Sequence, residues 1–282
     1  MSMNELKIAV LDMYNNQPNE GMRCILQLLR NTPLADQPVT VDIFNVRAET
    51  NLPDLSYDIY ISTGGPGSPL PLDEPWEEPY FRLIDALFAW NRTNERKKHV
   101  LLICHSFQLV ARHLGLGTVS KRKSTSFGIF PMHKTDDGYA EPLFSALPDP
   151  FYAVDSRDYQ LTELDVEQIE RLGASILCLE KIRPHVPLER AVMAIRFSDE
   201  VFGTQFHPEA DGEGMLRYFM TDEKRNQIIE NYGEDKYNEM VQSLQDPDKI
   251  ELTESVVIPG FLRQAAAALT TRQPLVSASS VA

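Results

Sequence analysis

Three residues in this chain have the types and spacing for acyl chemistry. Cys104 closes the apolar run Val100-Leu101-Leu102-Ile103, and much later the chain reads Gln205-Phe206-His207-Pro208-Glu209. A thiolate attacks an acyl carbon, an imidazole moves the proton, and a carboxylate fixes the imidazole. Together they make nucleophile, base and orienter for acyl transfer through a thioester. His207 and Glu209 are two residues apart, so on an extended segment both side chains point the same way and Glu209 can orient His207.

The elements around these residues must hold them together. Val100 to Ile103 reads as a buried strand, and Leu109, Val110 and Leu114 carry helical spacing after it. A strand that turns sharply into a helix at Cys104 pushes the thiol out at the C-terminal sheet edge, as a nucleophile elbow does. The helix N-terminus there favours the thiolate. The turn Gly64-Gly65-Pro66-Gly67 follows another strand, Tyr57 to Ser62, and therefore reaches the same edge, where ligands of open α/β sheets collect. Backbone N–H groups at Gly65 and at His105 would form an oxyanion hole. Read alone, the glycine turn is also consistent with a simple strand-to-helix connection.

Further strands are expected at Lys7–Met13, Val39–Val46, Phe127–Met132, Phe151–Val154, Ser175–Leu179, Ala191–Phe197 and Val201–Phe206. The last two are joined by Ser198-Asp199-Glu200 as a hairpin. Helices are expected at Gly21–Arg30 and Trp76–Asn91. Strands and helices alternate through the first half, which predicts an α/β fold: an open, doubly wound, mostly parallel, flavodoxin-like sheet with an antiparallel portion. After Asp211 the pattern turns helical (214–220, 223–232, 236–244, 258–269) and densely charged, as on a surface-lying extension. The division expected is a catalytic domain over 1–220 and a helical C-terminal extension over 221–282, with a frayed tail from Thr270.

Composition narrows the possible roles. The 282 residues are 43% hydrophobic and carry a formal net charge of -14. That balance argues against a nucleic-acid partner. No apolar stretch approaches the roughly 18–20 residues of a membrane span, so no membrane association is expected. The basic run Lys121-Arg122-Lys123 reads first as a solvated strand or turn face, with an anion contact as the alternative. Cys24, Cys104 and Cys178 form neither a disulfide framework nor a zinc signature. Cys24 is expected to pack beside the apolar face of its helix as a small hydrophobe, and Cys178 to be buried and inert in its strand. Without a secretory or transit pattern at the start, the expected compartment is cytoplasmic. Neither a metal nor an organic cofactor is called for.

Taken together, STGGPGSP (62–69), ICHSFQLVARHLG (103–115) and FGTQFHPEADGEGMLRYF (202–219) resemble the class I, or triad, glutamine amidotransferases. The likeness is to stand-alone proteins similar to the glutaminase domain of GMP synthase, and it covers about residues 5 to 220. The resemblance implies that Cys104 attacks the side-chain amide of glutamine, giving a γ-glutamyl thioester and ammonia. His207 would carry the proton and then activate water, with Glu209 holding the imidazole. It also implies that Gly65 serves the oxyanion and that Gly67, Gln108, Asp158 and Tyr159 contact substrate. The family elbow is Gly-x-Cys-x-Gly-x-Gln, whereas Leu102 and Ser106 stand at the glycine positions here. Either the neighbouring strand is notched to receive Leu102 or the elbow is displaced.

With no ATP-pyrophosphatase signature such as Ser-Gly-Gly-x-Asp-Ser, synthetic use of the ammonia requires an acceptor on a separate synthetase partner. Two other readings stay open. One is a hydrolase of other γ-glutamyl compounds with the same triad. The other is a non-catalytic binding or regulatory subunit, favoured by the altered elbow and opposed by the intact Cys104, His207 and Glu209.

Overall fold

A computed structural model describes residues 5–34, 38–185, 187–244, 246 and 249–271. The expected frayed tail lies mostly outside the described residues. In chain order the elements begin β1 (Leu6–Asp12), α1 (Glu20–Asn31), β2 (Val39–Asn45), α2 (Val46–Glu49), β3 (Ile59–Ser62) and α3 (Glu77–Thr93). Next come β4 (His99–Ile103), α4 (His105–His113), β5 (Thr118–Lys134), α5 (Asp136–Ala140) and β6 (Phe151–Thr162). A 3₁₀ turn at Pro142–Phe144 sits between the last two. Then follow α6 (Val166–Leu172), β7 (Ser175–Leu179), β8 (Val192–Ser198) and β9 (Val201–Thr204). Helices α7 (Gly212–Phe219), α8 (Asp222–Tyr232), α9 (Glu234–Ser243) and α10 (Glu251–Thr271) complete the described chain.

The described strands form one sheet in the order β2-β1-β3-β4-β9-β8-β7-β5-β6. Pairing is parallel from β2 through β9 and antiparallel from there to β6. This is the expected mixed α/β architecture, antiparallel portion included. Strands β3 and β4 are buried along their whole length. Such strands read as continuous apolar runs because helices cover both faces.

On one face α1 and α10 pack over Ile8, Val10, Ile61 and Leu101. On the other, α3 and α4 pack over Leu11, Tyr60, Val100 and Leu102. Helix α1 starts cleanly because Asn19 accepts the Met22 N–H at 2.8 Å, satisfying one of its free donors.

Two elements depart from the expectations. Helix α10 begins at Glu251, not at 258, and it does not lie on the surface. Val257, Ile258, Phe261, Leu262 and Ala265 are buried in the same core as β1 and α1. Full burial of each large side chain is worth about 1.5–3 kcal/mol, so α10 is part of what holds the sheet. Strand β5 begins well before Phe127 and carries the basic run through its pairing with β6. Arg122 is not a solvated residue there: it donates to Gln160 Oε1 at 2.7 Å and pairs with Glu180 at 3.2 Å. Helices α7 to α9 enclose a separate apolar cluster with Phe127 and Val154 of the β5–β6 ribbon.

Among the described residues, no helix is long and apolar enough to cross a membrane. No group of His, Cys, Asp or Glu side chains there could hold a metal ion.

Candidate active site

Cys104 occupies the turn between β4 and α4 with φ 47° and ψ −98°. A non-glycine residue in that region costs about 1–3 kcal/mol and persists only where its surroundings enforce it. Enforcement comes from both sides. The Cys104 N–H donates to Thr204 O of β9 at 2.7 Å, and the Cys104 carbonyl accepts the Gln108 N–H at 3.0 Å. The thiol lies 3.7 Å from Ser156 O, and Gln205 Nε2 approaches Sγ at 3.6 Å.

The elbow accommodates its two non-glycine residues by different means. In the β4–β9 register Leu102 pairs with Gly203. A Cβ added at Gly203 would lie 2.8 Å from Phe197, 3.0 Å from Phe107 and 3.4 Å from Leu102 Cβ. The neighbouring strand is thus notched where Leu102 packs, and the elbow remains in register. Ser106 is buried and bonded: its Oγ donates to Thr63 O at 2.7 Å and lies 2.7 Å from Ser62 Oγ. Ser62 in turn lies 3.0 Å from the Tyr80 hydroxyl. The hydroxyl at 106 therefore ties α4 to the end of β3, directly before the glycine turn.

His207 follows β9, and its backbone N–H donates to Val154 O at 2.8 Å, which pins the loop against β6. Its Nδ1 is 2.8 Å from Glu209 Oε1, and Cys104 is near enough to act on its charge. Burial opposes the imidazolium, but the Glu209 carboxylate and the adjacent Cys104 outweigh it and hold the His207 pKa well above the ordinary imidazole range. Glu209 is itself buried, and its Oε2 has no hydrogen-bond partner among the described residues. Cys104, His207 and Glu209 are thus brought together in one cleft.

The remaining expected site residues lie around these three with differing engagements. Gly65 lines the cleft, and a Cβ there would meet the Met13 carbonyl oxygen at 2.3 Å, so only glycine fits. Gly67 adopts φ +98° beside Arg47. The Arg47 guanidinium donates to both Met13 O and Pro66 O, fastening the glycine turn to the end of β1. His105 is buried, and burial, with the nearby Arg47 and Arg112, pushes its pKa down to about 3, so its side chain stays neutral.

Gln108 Nε2 donates to Tyr159 O at 3.0 Å and to Gln205 Oε1 at 2.8 Å. Both amide protons are taken, and what it offers a ligand is its carbonyl. Asp158 is exposed and accepts from Thr125 Oγ1 at 2.5 Å. Tyr159 is half-buried on the rim. Cys24 and Cys178 are buried, as expected; burial pushes the Cys24 thiol up to about 12 and the Cys178 thiol higher still.

Two features carried no readable sequence signal, and a third carried one with no role attached. Tyr14, just past β1, projects its hydroxyl toward Gly21 and Gly64. Its pKa is driven well above the ordinary phenol value by burial and then by Glu209 and Cys104, so its hydroxyl stays protonated in the cleft. Beneath β6, Arg157 is buried and bonds Asp155 at 2.9 Å and Glu180 at 3.0 Å. That ion cluster fixes the backbone at Ser156 and Tyr159 that faces Cys104 and Gln108. Gln205 links the same two residues, and its signal was present in the QFHPE run without a role attached. The whole site opens into a cleft of about 730 Å³ bounded by the β1–α1 loop, the β5–β6 ribbon and α7–α8.

The α/β scaffold thus sets a strained thiol elbow at the C-terminal edge of a mostly parallel sheet beside a His-x-Glu pair that follows the neighbouring strand. The sequence pattern of the class-I glutamine amidotransferases matches residues 25–223, and the chain belongs to that family. Among solved structures it is similar to a glutamine amidotransferase from Thermotoga maritima (15% identity, 93% of this chain and 98% of that one, TM-score 0.66). It is also similar to one from Methylobacillus flagellatus (16%, 96% and 95%, TM-score 0.56). A third is the CTPS glutaminase domain of Trypanosoma brucei with bound acivicin (15%, 93% and 94%, TM-score 0.52). At such identities the likeness is one of fold. Among curated protein sequences, nothing matches.

Proposed function

We propose that this protein hydrolyses the side-chain amide of glutamine through a thioester on Cys104, releasing ammonia for an acceptor on a separate synthetase partner. The observation that carries the reading is the Cys104–His207–Glu209 series at a strained elbow, in a chain of the class-I amidotransferase family. Cys104 attacks the amide carbon, and the oxyanion is met by the N–H groups of Gly65 and His105. His207 gives its proton to the departing nitrogen, then takes one from the water that attacks the thioester. Glu209 holds the imidazolium throughout. The Gln108 carbonyl and the groups at Gly67, Asp158 and Tyr159 bind the amino-acid end of the substrate.

A second reading, hydrolysis of other γ-glutamyl amides, is favoured by one observation: the cleft continues past Tyr159 to α7 and α8. Its volume falls in the range of about 300–1,000 Å³ typical of sites for larger organic ligands.

The test is intact-protein mass spectrometry after incubation with 6-diazo-5-oxo-norleucine, with Cys104→Ser as control. A single adduct on Cys104 that excess glutamine blocks is expected. A thiol that reacts with iodoacetamide but not with the glutamine analogue would overturn the reading.

A further inference from the structure

Tyr14 stands where two turns meet at the edge of the sheet. Its backbone N–H donates to Asp12 Oδ1 at 2.7 Å, and its carbonyl accepts the Gln17 N–H at 3.1 Å. The preceding Met13 N–H donates to Thr63 Oγ1 at 3.0 Å, which ties the end of β1 to the end of β3. The ring is thereby laid beside Gly64, and two glycines leave room for its hydroxyl. A Cβ at Gly21 would fall 2.1 Å from the Tyr14 oxygen and 3.4 Å from Glu209 Oε1. A Cβ at Gly64 would touch three groups at once: His207 Cε1 at 2.9 Å, the Tyr14 oxygen at 3.3 Å and Cys104 Cβ at 3.6 Å.

Hydrolysis of a thioester on Cys104 sets a demand that the triad alone does not meet. The water must lie beside the imidazole that takes its proton and beside the carbon carried on the sulfur. A single hydrogen bond to His207 leaves that water free to turn, whereas a second from a fixed group aims it. The Tyr14 hydroxyl borders both His207 and Cys104, and Tyr14 lines the cleft. A phenol hydroxyl can donate and accept. Burial and the Glu209 carboxylate keep it protonated, so it holds water without competing with His207 as base.

We propose that Tyr14 is a further catalytic residue, the group that holds the water which cleaves the acyl-enzyme. The role rests on the thioester reading above. The water oxygen bonds the γ-carbon as the C–S bond breaks, and one water proton passes to His207. Glutamate leaves, and the Cys104 thiolate is restored beside a charged imidazole. Tyr14 keeps its own proton throughout.

The experiment compares the native protein with Tyr14→Phe in two reactions of Cys104. Diazo-norleucine alkylates the thiol without an attacking water, whereas glutamine hydrolysis needs one in its second step. Tyr14→Phe is expected to label within about twofold of the native rate and to release ammonia about tenfold more slowly, the worth of one hydrogen bond. Acid-quenched intact-mass spectra of the variant should show a γ-glutamyl thioester on Cys104. Hydroxylamine, a stronger nucleophile than water, should restore its turnover as the hydroxamate. Native rates in both reactions would overturn the role and leave the thioester reading standing. Labelling and hydrolysis slowed in parallel, with no thioester held, would also overturn it and make Tyr14 a packing residue. A native protein that takes no label, or takes it and neither hydrolyses glutamine nor retains its acyl group, would overturn the glutamine reading and the role with it.

Discussion

At the scale of single residues, the site depends on how a partly buried imidazole is held charged. Glu209 raises the His207 pKa against the opposing effect of burial. A group whose folded pKa is raised contributes stability fully below its unfolded value, about 6.5 for histidine, and loses it as pH rises through the folded value. The melting temperature of the native protein is therefore expected to fall between neutral and alkaline pH. Glu209→Gln removes the charge that raises the pKa, and its Tm should decline less over the same range. The same substitution should slow diazo-norleucine labelling of Cys104 by about 10²–10⁴-fold, the usual contribution of a positioned acid–base group. A Tm–pH slope unchanged by Glu209→Gln would dissociate the carboxylate from the imidazole.

Among elements, the β4–β9 pair decides whether the elbow can form at all. Gly203 leaves the space in which Leu102, Phe107 and Phe197 meet. Gly203→Ala is expected to destabilise the protein by about 1–3 kcal/mol, as overpacking of a filled core does. The change is readable as a lower denaturation midpoint with an unchanged slope.

This was only half legible in the sequence. The strand–cysteine–helix pattern and the His-x-Glu spacing are local, and the chain writes them plainly. The partner of Leu102 is set by register between strands far apart in sequence, and no spacing rule reaches it. Tyr14 and the Arg157–Asp155–Glu180 cluster were hidden for the same reason: each depends on contacts among loops and strands that the linear pattern does not pair. The early part of β5 was hidden differently. Lys121 and Lys123 are exposed and Arg122 is taken up by Glu180 and Gln160, so that part of the ribbon lacks the apolar alternation that marks a strand.

For the whole molecule, α10 joins the far end of the described chain to the first strand. Its apolar residues run almost all round, interrupted by Pro259, so periodicity alone gives neither its start nor its buried face. Because Leu262 is fully buried in the core cluster that also holds residues of α1 and β1, Leu262→Ala should cost about 2–5 kcal/mol in a denaturant titration. A loss below 1 kcal/mol would show that α10 is dispensable to the fold. Helices α7 and α8 have a different place: they line the outer cleft and pack in their own small cluster, so changes there bear on what enters the site more than on the sheet.

The series from Tyr80 through Ser62 and Ser106 to Thr63 has a direction. A carbonyl oxygen only accepts, so Ser106 donates to Thr63 O, Ser62 donates to Ser106, and Tyr80 donates to Ser62. Burial pushes the Tyr80 phenol up to about 12, which keeps the first proton in place at ordinary pH. Each hydroxyl hydrogen thus has one assigned acceptor and no contact with bulk water. Such hydrogens exchange slowly enough to give their own proton resonances, and those three signals would act as a built-in reporter of the elbow, fading together whenever α4 parts from β3.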